Sequence, residues 1–422
     1  MGNARRTKEL KNRVVITGMG AITPIGNNVE TFWENIKKGK CGIDFIKSFD
    51  TSEFKVKIAA EVKDFNPIDI LDFKELKRMD RFSQMGIAAA IEAVNDAGLN
   101  DNDNDSRENW GVVLGTGIGG FIAIEKENRR IIEKGPGRVS PFFIPMALCN
   151  IASANIAIKL GIKGICDTVI TACASGTSSI GNAYRILQQN QADLIIAGGS
   201  EAAITPLALA GFTSMGALCT HNNSKQASIP FDIRRTGFVM GEGAGIMILE
   251  TLEHAQKRGA KIYAEVVGYG ATCDAYHVTA PAPGGEGGAR AIKMAIDDSG
   301  INEEQISYIN AHGTGTPYND KSETEAVKTI FGEKAYNIPV SSTKSMTGHM
   351  LGASGAAEAI ICVKAIKESF IPPTIGLQEQ DPECDLDYVP LQGRNQNLQY
   401  TISNSFGFGG QNASILFKKW QK

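Results

Sequence analysis

The feature that most constrains the fold of this chain is an alternation. Short β-branched runs, Arg13-Val-Val-Ile-Thr17, Gly111-Val-Val-Leu114, Asp193-Leu-Ile-Ile-Ala197 and Ala264-Glu-Val-Val267, end near glycine and alternate with longer segments of helical spacing. Strands interleaved with helices predict an α/β fold. The helical segments Phe82–Ala97, Gly176–Gln189 and Gly352–Lys367 are rich in alanine, glycine and serine. Small residues at close spacing suit helices wedged between other layers, so sheets covered by helices on both faces are expected. At 422 residues and 42% hydrophobic content the chain exceeds one ordinary domain and can bury a large core, which predicts two domains or two fused halves.

The order of elements also recurs. A strand, the turn Ala172-Cys-Ala-Ser-Gly176 and a small-residue helix are followed by the strand Leu194–Ala197. Later, Val340-Ser-Ser-Thr343 leads through Lys344–His349 into the helix Gly352–Lys367. The repetition predicts an internal duplication, with one unit over 13–262 and a second over 263–422. The polar, acidic segment Asn100–Asn109 reads as a surface loop without chemistry.

Several function classes are excluded. A formal net charge of −3 gives no electrostatic footprint for nucleic acid, which calls for a concentrated basic surface. No apolar run approaches the roughly 18 residues that span a bilayer, and the opening MGNARRTKEL has no apolar signal core, so a cytoplasmic location away from membranes is expected. The Met-Gly start resembles a myristoylation signal, but Arg6 stands where that signal requires Ser or Thr. Eight cysteines, at 41, 149, 166, 173, 219, 273, 362 and 384, show no CxxC or Cys/His clustering. That argues against a disulfide frame or a zinc site; no metal is expected, and most of these thiols read as buried small hydrophobes.

Cys173 differs in its setting. Val169-Ile-Thr-Ala-Cys-Ala-Ser-Gly176 puts it after an apolar strand and at the start of a helix, whose unpaired N–H groups and dipole favour a thiolate. Taken alone, the residue is either such a nucleophile or an inert buried thiol. Of five histidines, His312, in Asn310-Ala-His-Gly-Thr-Gly-Thr316, and His349, in Ser341-Ser-Thr-Lys-Ser-Met-Thr-Gly-His349, lie on glycine- and threonine-bearing loops after strands. Open α/β sheets build their sites there. His254 reads as an exposed helix residue and His221 as part of a polar loop. Lys344, if buried, needs a carboxylate, and Glu358 on the following helix is the candidate. The loop Ser403-Asn-Ser-Phe-Gly-Phe-Gly-Gly-Gln-Asn412 carries Phe406 and Phe408 among glycines, which fits either a mobile, amide-exposing loop or a tight turn with core aromatics.

Four of these segments, Thr171-Ala-Cys-Ala-Ser-Gly176, Asn310-Ala-His-Gly-Thr314, Ser342-Thr-Lys-Ser-Met-Thr-Gly-His349 and Asn404-Ser-Phe-Gly-Phe-Gly-Gly410, resemble in order the signatures of the bacterial β-ketoacyl-acyl-carrier-protein synthase II family, and the likeness runs from about Arg13 to Lys419. The resemblance implies a thiolase-like fold of two duplicated halves in αβαβα layers, a homodimer, and no resident cofactor. Its substrates ride on the phosphopantetheine arm of acyl-carrier protein. It implies that Cys173 takes the acyl chain as a thioester and that His312 and His349 stabilise the enolate left by malonyl decarboxylation. Lys344 with Glu358 would hold the histidines. The N–H groups of Cys173 and Phe408 would form an oxyanion hole, with Phe408 also gating acyl entry.

By the same likeness Thr314 and Thr316 would bind the pantetheine arm, and Asp274 and Phe406 would lie at the substrate channel. Ile118, Phe143 and Phe212 would line an apolar acyl pocket. Lys74, Lys77, Arg78 and Arg138 would face the acidic carrier protein, although Gly137 and Gly216 stand where the family commonly has a basic residue.

The rival reading is a dinucleotide-binding protein, because Gly115-Thr-Gly-Ile-Gly-Gly120 fits GxGxxG after a strand. No acidic strand end follows at the spacing a ribose partner needs. Among condensing enzymes, His349 argues against a thiolase with its second reactive cysteine and against an initiating synthase with asparagine there. A freestanding polyketide role stays open.

Overall fold

The structure is a computed structural model that describes residues 11–99 and 107–421. The opening ten residues and 100–106, the greater part of the Asn100–Asn109 loop, lie outside the described residues.

Ten strands form the frame: β1 (Val14–Ile22), β2 (Trp110–Gly115), β3 (Cys166–Val169), β4 (Leu194–Glu201), β5 (Gly243–Thr251), β6 (Ala264–Cys273), β7 (Ile306–Asn310), β8 (Val340–Ser341), β9 (Tyr400–Gly407) and β10 (Gln411–Lys419). Their order is β8-β7-β9-β10-β6-β1-β5-β4-β2-β3. Counted outward from the β1–β6 seam, each half runs first, fifth, fourth, second, third. Directions repeat too: β1–β5 and β5–β4 are antiparallel and β4–β2 and β2–β3 parallel, as are β6–β10, β10–β9, β9–β7 and β7–β8 in turn. Three residue pairs, Val14↔Val266, Val15↔Glu265 and Ile16↔Ala264, join the halves.

Helices α1 (Arg81–Asp96), α2 (Phe121–Lys134), α3 (Ile151–Leu160), α4 (Ser175–Gln188), α5 (Glu286–Ser299), α6 (Pro317–Phe331) and α7 (Ser354–Glu368) complete the layers. Side chains alternate across a strand. Ile195, Ala197, Met247 and Leu249 therefore enter the central core with α4 and α7, while Leu194, Ile196, Ile246 and Ile248 enter an outer core under α1. In the second half Ile415 and Phe417 face the centre and Leu416 joins the opposite outer core under α5 and α6. A central core surrounds α4 and α7 and an outer core lies under the helices on each side, which gives the expected αβαβα arrangement. Helix α7 is buried on nearly every side from Ser354 to Val363, as a helix between two sheets must be, and its small residues permit that.

Local expectations differ from the structure in a few places. Cys166 and Cys273 are exposed and Cys41 and Cys149 half-buried, so only four cysteines are buried. His254 is not an exposed residue: its Nδ1 lies 2.6 Å from the buried Glu250 carboxylate. Among the described residues no helix is long and apolar enough to cross a membrane.

Candidate active site

Both central helices are entered through a single tight turn. Before α4 it is Ala172–Ala174, with Ala172 at φ +49°, a left-handed value that a residue with a Cβ holds only when its surroundings enforce it. Ser175 Oγ accepts the Thr171 N–H at 2.9 Å and reaches the Thr116 carbonyl at 3.1 Å, which pins the turn to the end of β2. The end of β9 passes so close that a Cβ on Gly407 would sit 2.6 Å from the Thr171 carbonyl. Glycine is required there.

Cys173 sits on this turn, 8% exposed. Burial pushes its thiol up to about 12, against the pull of the Lys344 ammonium and the Phe408 N–H; the Glu201 carboxylate pushes further up and the residue's own N–H pulls down. The resting group is thus a protonated thiol, whereas the helix-start argument favoured a thiolate. The helix supplies the donors, but desolvation of a charged sulfur outweighs them. The two N–H groups that face the sulfur are those of Cys173 and Phe408.

His312 follows β7. Its backbone N–H donates to Glu323 Oε1 at 2.9 Å and that of Gly313 to Oε2 at 2.8 Å, so a buried carboxylate on α6 holds the loop. Burial raises Glu323 to about 7, opposed by the Gly313 and His312 N–H groups. His349 is fixed separately: its N–H donates to the Val239 carbonyl at 2.7 Å, its carbonyl accepts from Gly241 at 2.8 Å, and its Nδ1 lies 3.0 Å from Ser354 Oγ. The two rings meet edge to face with centroids 5.3 Å apart. Burial and the nearby Lys344 charge hold both imidazoles well below the usual histidine range, so both are neutral near pH 7. His312 Nδ1 and His349 Nε2 are buried without a partner among the described residues.

Lys344 Nζ lies 2.5 Å from Glu358 Oε1, and both side chains are buried. This is the pairing expected from the sequence. Burial raises the Glu358 carboxyl while Lys344 opposes the rise.

Cys173, His312 and His349 line one cavity of about 530 Å³. Thr314 and Thr316, with hydroxyls 2.9 Å apart, Phe406, Phe408, Asp274 and Phe212 line it as well. Asp274 locks two loops together, accepting from Asn412 Nδ2 at 2.6 Å and from the Ala282 N–H at 3.0 Å while its own N–H donates to the Gly410 carbonyl. Ile118 packs in the apolar cluster of Cys173 but does not line the cavity. Phe143 does neither, because it begins a short helix, Phe143–Ala147, that packs on α2. Lys74, Lys77, Arg78 and Arg138 are exposed, and the Arg78 guanidinium stacks over Phe142, 4.9 Å from the ring centre, which brings the Lys74–Arg78 segment beside the one bearing Arg138.

The buried carboxylates Glu323 and Glu201 and the hydroxyl of Ser354 were not legible as site residues. Glu201 alone left a trace, as a charge closing the apolar strand Leu194-Ile-Ile-Ala-Gly-Gly-Ser-Glu201.

A cysteine on a strand–helix elbow, two amide donors at its sulfur and two neutral histidines across one cavity define an α/β condensing-type site in a thiolase-like frame. The chain belongs to the β-ketoacyl synthase family: the family's N-terminal domain matches residues 11–255 and its C-terminal domain 263–378. It is 54% identical over 409 residues to 3-oxoacyl-[acyl-carrier-protein] synthase 2 of Staphylococcus aureus (strain N315), covering 97% of this chain and 99% of that one. The protein of the same name from Synechocystis sp. is 54% identical over 412 residues, with the same coverage. Among solved structures, the ishigamide ketosynthase/chain length factor superposes with a TM-score of 0.92 at 38% identity over 97% of this chain and all of that one. A type II polyketide ketosynthase (AntDE) in complex with its acyl-carrier protein superposes at 0.91 and 35% identity, with the same coverage.

Proposed function

We propose that this chain elongates fatty acyl chains: Cys173 receives an acyl group from acyl-carrier protein, and malonyl-acyl-carrier protein then condenses with it to give 3-oxoacyl-carrier protein and CO2. The observation that carries this reading is the single cavity in which a buried cysteine faces two neutral histidines with unpaired ring nitrogens.

In the first half-reaction the Cys173 sulfur bonds to the acyl carbon, the thioester bond between that carbon and the pantetheine sulfur breaks, and the thiol proton ends on the released pantetheine thiol. In the second, the malonyl C–C bond to carboxylate breaks and the electron pair becomes an enolate. Its oxygen needs donors that carry no charge of their own to desolvate, and neutral imidazoles supply them. A Ser354 hydroxyl donating to His349 Nδ1 leaves the ring proton on Nε2, the partnerless atom. Burial, together with the charge of Lys344 held by Glu358, keeps both rings neutral. The enolate carbon then attacks the acyl-cysteine. The oxyanion meets the N–H groups of Cys173 and Phe408, and collapse expels the Cys173 thiolate, which takes up one proton because burial favours the thiol.

Thr314 and Thr316 suit the pantetheine arm, and Phe212 and Ile118 the acyl side. The basic cluster Lys74, Lys77, Arg78 and Arg138 suits an acidic carrier by charge complementarity. A homodimer is supported by the free edge of β3 and by exposed apolar residues on the elements beside it, Ile144, Leu148, Ile158 and Ile170. A second copy would also bring another Phe143 to this surface. The division into units 13–262 and 263–422 draws support from the repeated strand order, and the cytoplasmic setting from the carrier-bound substrates.

The test is intact-protein mass spectrometry after incubation with acyl-acyl-carrier protein. The unaltered chain gains one acyl group, on Cys173, and C173S forms no condensation product while C173Q still releases CO2 from malonyl-acyl-carrier protein. Condensation by C173S, or acylation elsewhere, overturns the reading.

A further inference from the structure

One buried carboxylate takes no part in the chemistry above yet touches more of the site's backbone than any group that does. Glu201, at the end of β4, is fully buried. Its Oε2 accepts from the Gly117 N–H at 2.6 Å and from the Gly352 N–H at 3.1 Å. Its Oε1 accepts from Thr116 Oγ1 at 3.1 Å and from the N–H groups of Ile118 and Gly119, each at 3.2 Å. All five partners donate. A protonated carboxyl would place a hydrogen against N–H groups that can only donate, or against Thr116 Oγ1, which already accepts from the Gly119 N–H at 3.2 Å, so the donor set favours the carboxylate even though burial raises its protonation tendency.

The five donors come from two separate pieces of chain. One is the turn after β2 that carries Ile118; the other is the turn before α7 that carries Leu351, immediately preceding Gly352. Ile118 and Leu351 belong with Cys173 to one apolar cluster. Glu201 therefore joins the two turns behind the apolar cluster of the nucleophile, of which Leu351 lines the cavity and Ile118 packs behind it. It touches neither histidine. His349 is anchored by Val239, Gly241 and Ser354, and the His312 loop by Glu323.

We propose that Glu201 is a positioning residue for acyl transfer: its carboxylate clamps the Ile118 turn to the Leu351 turn and so sets the width of the apolar slot in which an acyl chain meets Cys173. This rests on the condensing function proposed above. It assigns Glu201 chiefly to one half-reaction, because four of the five donors it holds lie on the Ile118 turn and the fifth, Gly352, reaches His349 only through Ser354 two residues on. Replacement by Gln puts an NH2 group against amide donors and forces the two turns apart. Replacement by Asp keeps the charge but falls about one methylene short, so it spans the two turns imperfectly.

The experiment separates the half-reactions in E201Q and E201D. Acyl transfer to Cys173 is followed by mass spectrometry with short and long acyl-carrier proteins, and decarboxylation by CO2 release from malonyl-acyl-carrier protein alone. For E201Q we expect transfer of the longer chain to slow about tenfold or more, transfer of the shorter chain to slow less, and decarboxylation to change less than about twofold. E201D is expected to fall between E201Q and the unaltered protein. Equal loss of both half-reactions in either folded variant marks Glu201 as merely structural and overturns the proposal, as does no loss in either. If E201Q does not fold, the same split in E201D decides. Failure of the unaltered chain in both half-reactions instead refutes the condensing function itself.

Discussion

The two turns that open α4 and α7 are built alike and do different work. Each is one 3-10 turn, Ala172–Ala174 and Leu351–Ala353, each holds a non-glycine residue left-handed, Ala172 at φ +49° and Leu351 at +47°, and each leads through a serine into a buried central helix. In this register Cys173 matches Gly352, Ile170 matches His349, and Ser175 matches Ser354. The first turn leaves its amide facing a sulfur, beside the Phe408 N–H, where a developing charge can use both. The second has its amide occupied by Glu201. The two elbows share a shape; one is filled by a permanent carboxylate and the other is left open for a transient oxyanion. Strained geometry alone therefore does not make a site, and the unoccupied amide does.

Three measurements can break or sharpen that comparison. The largest effect is expected at Lys344, which precedes the second turn while its charge faces the first. K344M leaves Glu358 buried and unpaired, so chemical denaturation should show a loss of about 3–5 kcal/mol, and adding E358L should recover much of it. A loss confined to catalysis, with stability intact, would mean that the buried Glu358 does not depend on Lys344 as its partner.

Next comes the glycine that replaces the nucleophile. A Cβ at Gly352 would stand 2.4 Å from the Gly117 nitrogen and 2.8 Å from Glu201 Oε2. G352A should therefore cost about 1–3 kcal/mol through overpacking, whereas C173A at the matching position, which borders the cavity, should cost less. Similar losses at both positions would contradict the distinction between a filled elbow and an open one.

The smallest effect concerns His349 and its counterpart Ile170. Its folded-state affinity for protons lies well below that of the unfolded chain, whose histidines titrate near the ordinary value of 6.5. Below about pH 6.5 the unfolded chain binds a proton that the folded chain refuses, so stability falls with falling pH by up to about 1.4 kcal/mol per unit for each such histidine, and the contribution is flat above that pH. His312 behaves in the same way. H349N should reduce the slope of unfolding free energy against pH between about 5 and 6.5 by one histidine's share. An unchanged slope would show that His349 is not held neutral.

Much of this molecule was legible because its signals are local. Helix α7 was expected over Gly352–Lys367 and is observed over Ser354–Glu368, since a run of small and apolar residues with no breaker has few alternatives. The strand after Pro339 was expected to reach Thr343 but pairs only at Val340 and Ser341, because the chain turns toward the Lys344–Glu358 pair as soon as it leaves β7. Cys173, His312 and His349 were named from motif and placement, and one cavity does hold them. Ile118 and Phe143 were named from likeness, and this single chain brings neither to the cavity wall, because a pocket surface depends on which layer each loop packs against.

By itself, then, the sequence determined the alternating α/β order, its repetition, and the identity of the reactive groups, all of which follow from periodicity and from residues adjacent in the chain. Only the tertiary structure decided that Cys173 rests as a thiol, that both imidazoles are neutral, and that Glu201 and Glu323 hold turns 82 and 11 residues away from them at Gly119 and His312. Protonation state is set by desolvation and by charges from other layers, and a carboxylate's partners are whichever amides the fold leaves unpaired. Neither quantity is written in any short stretch of chain.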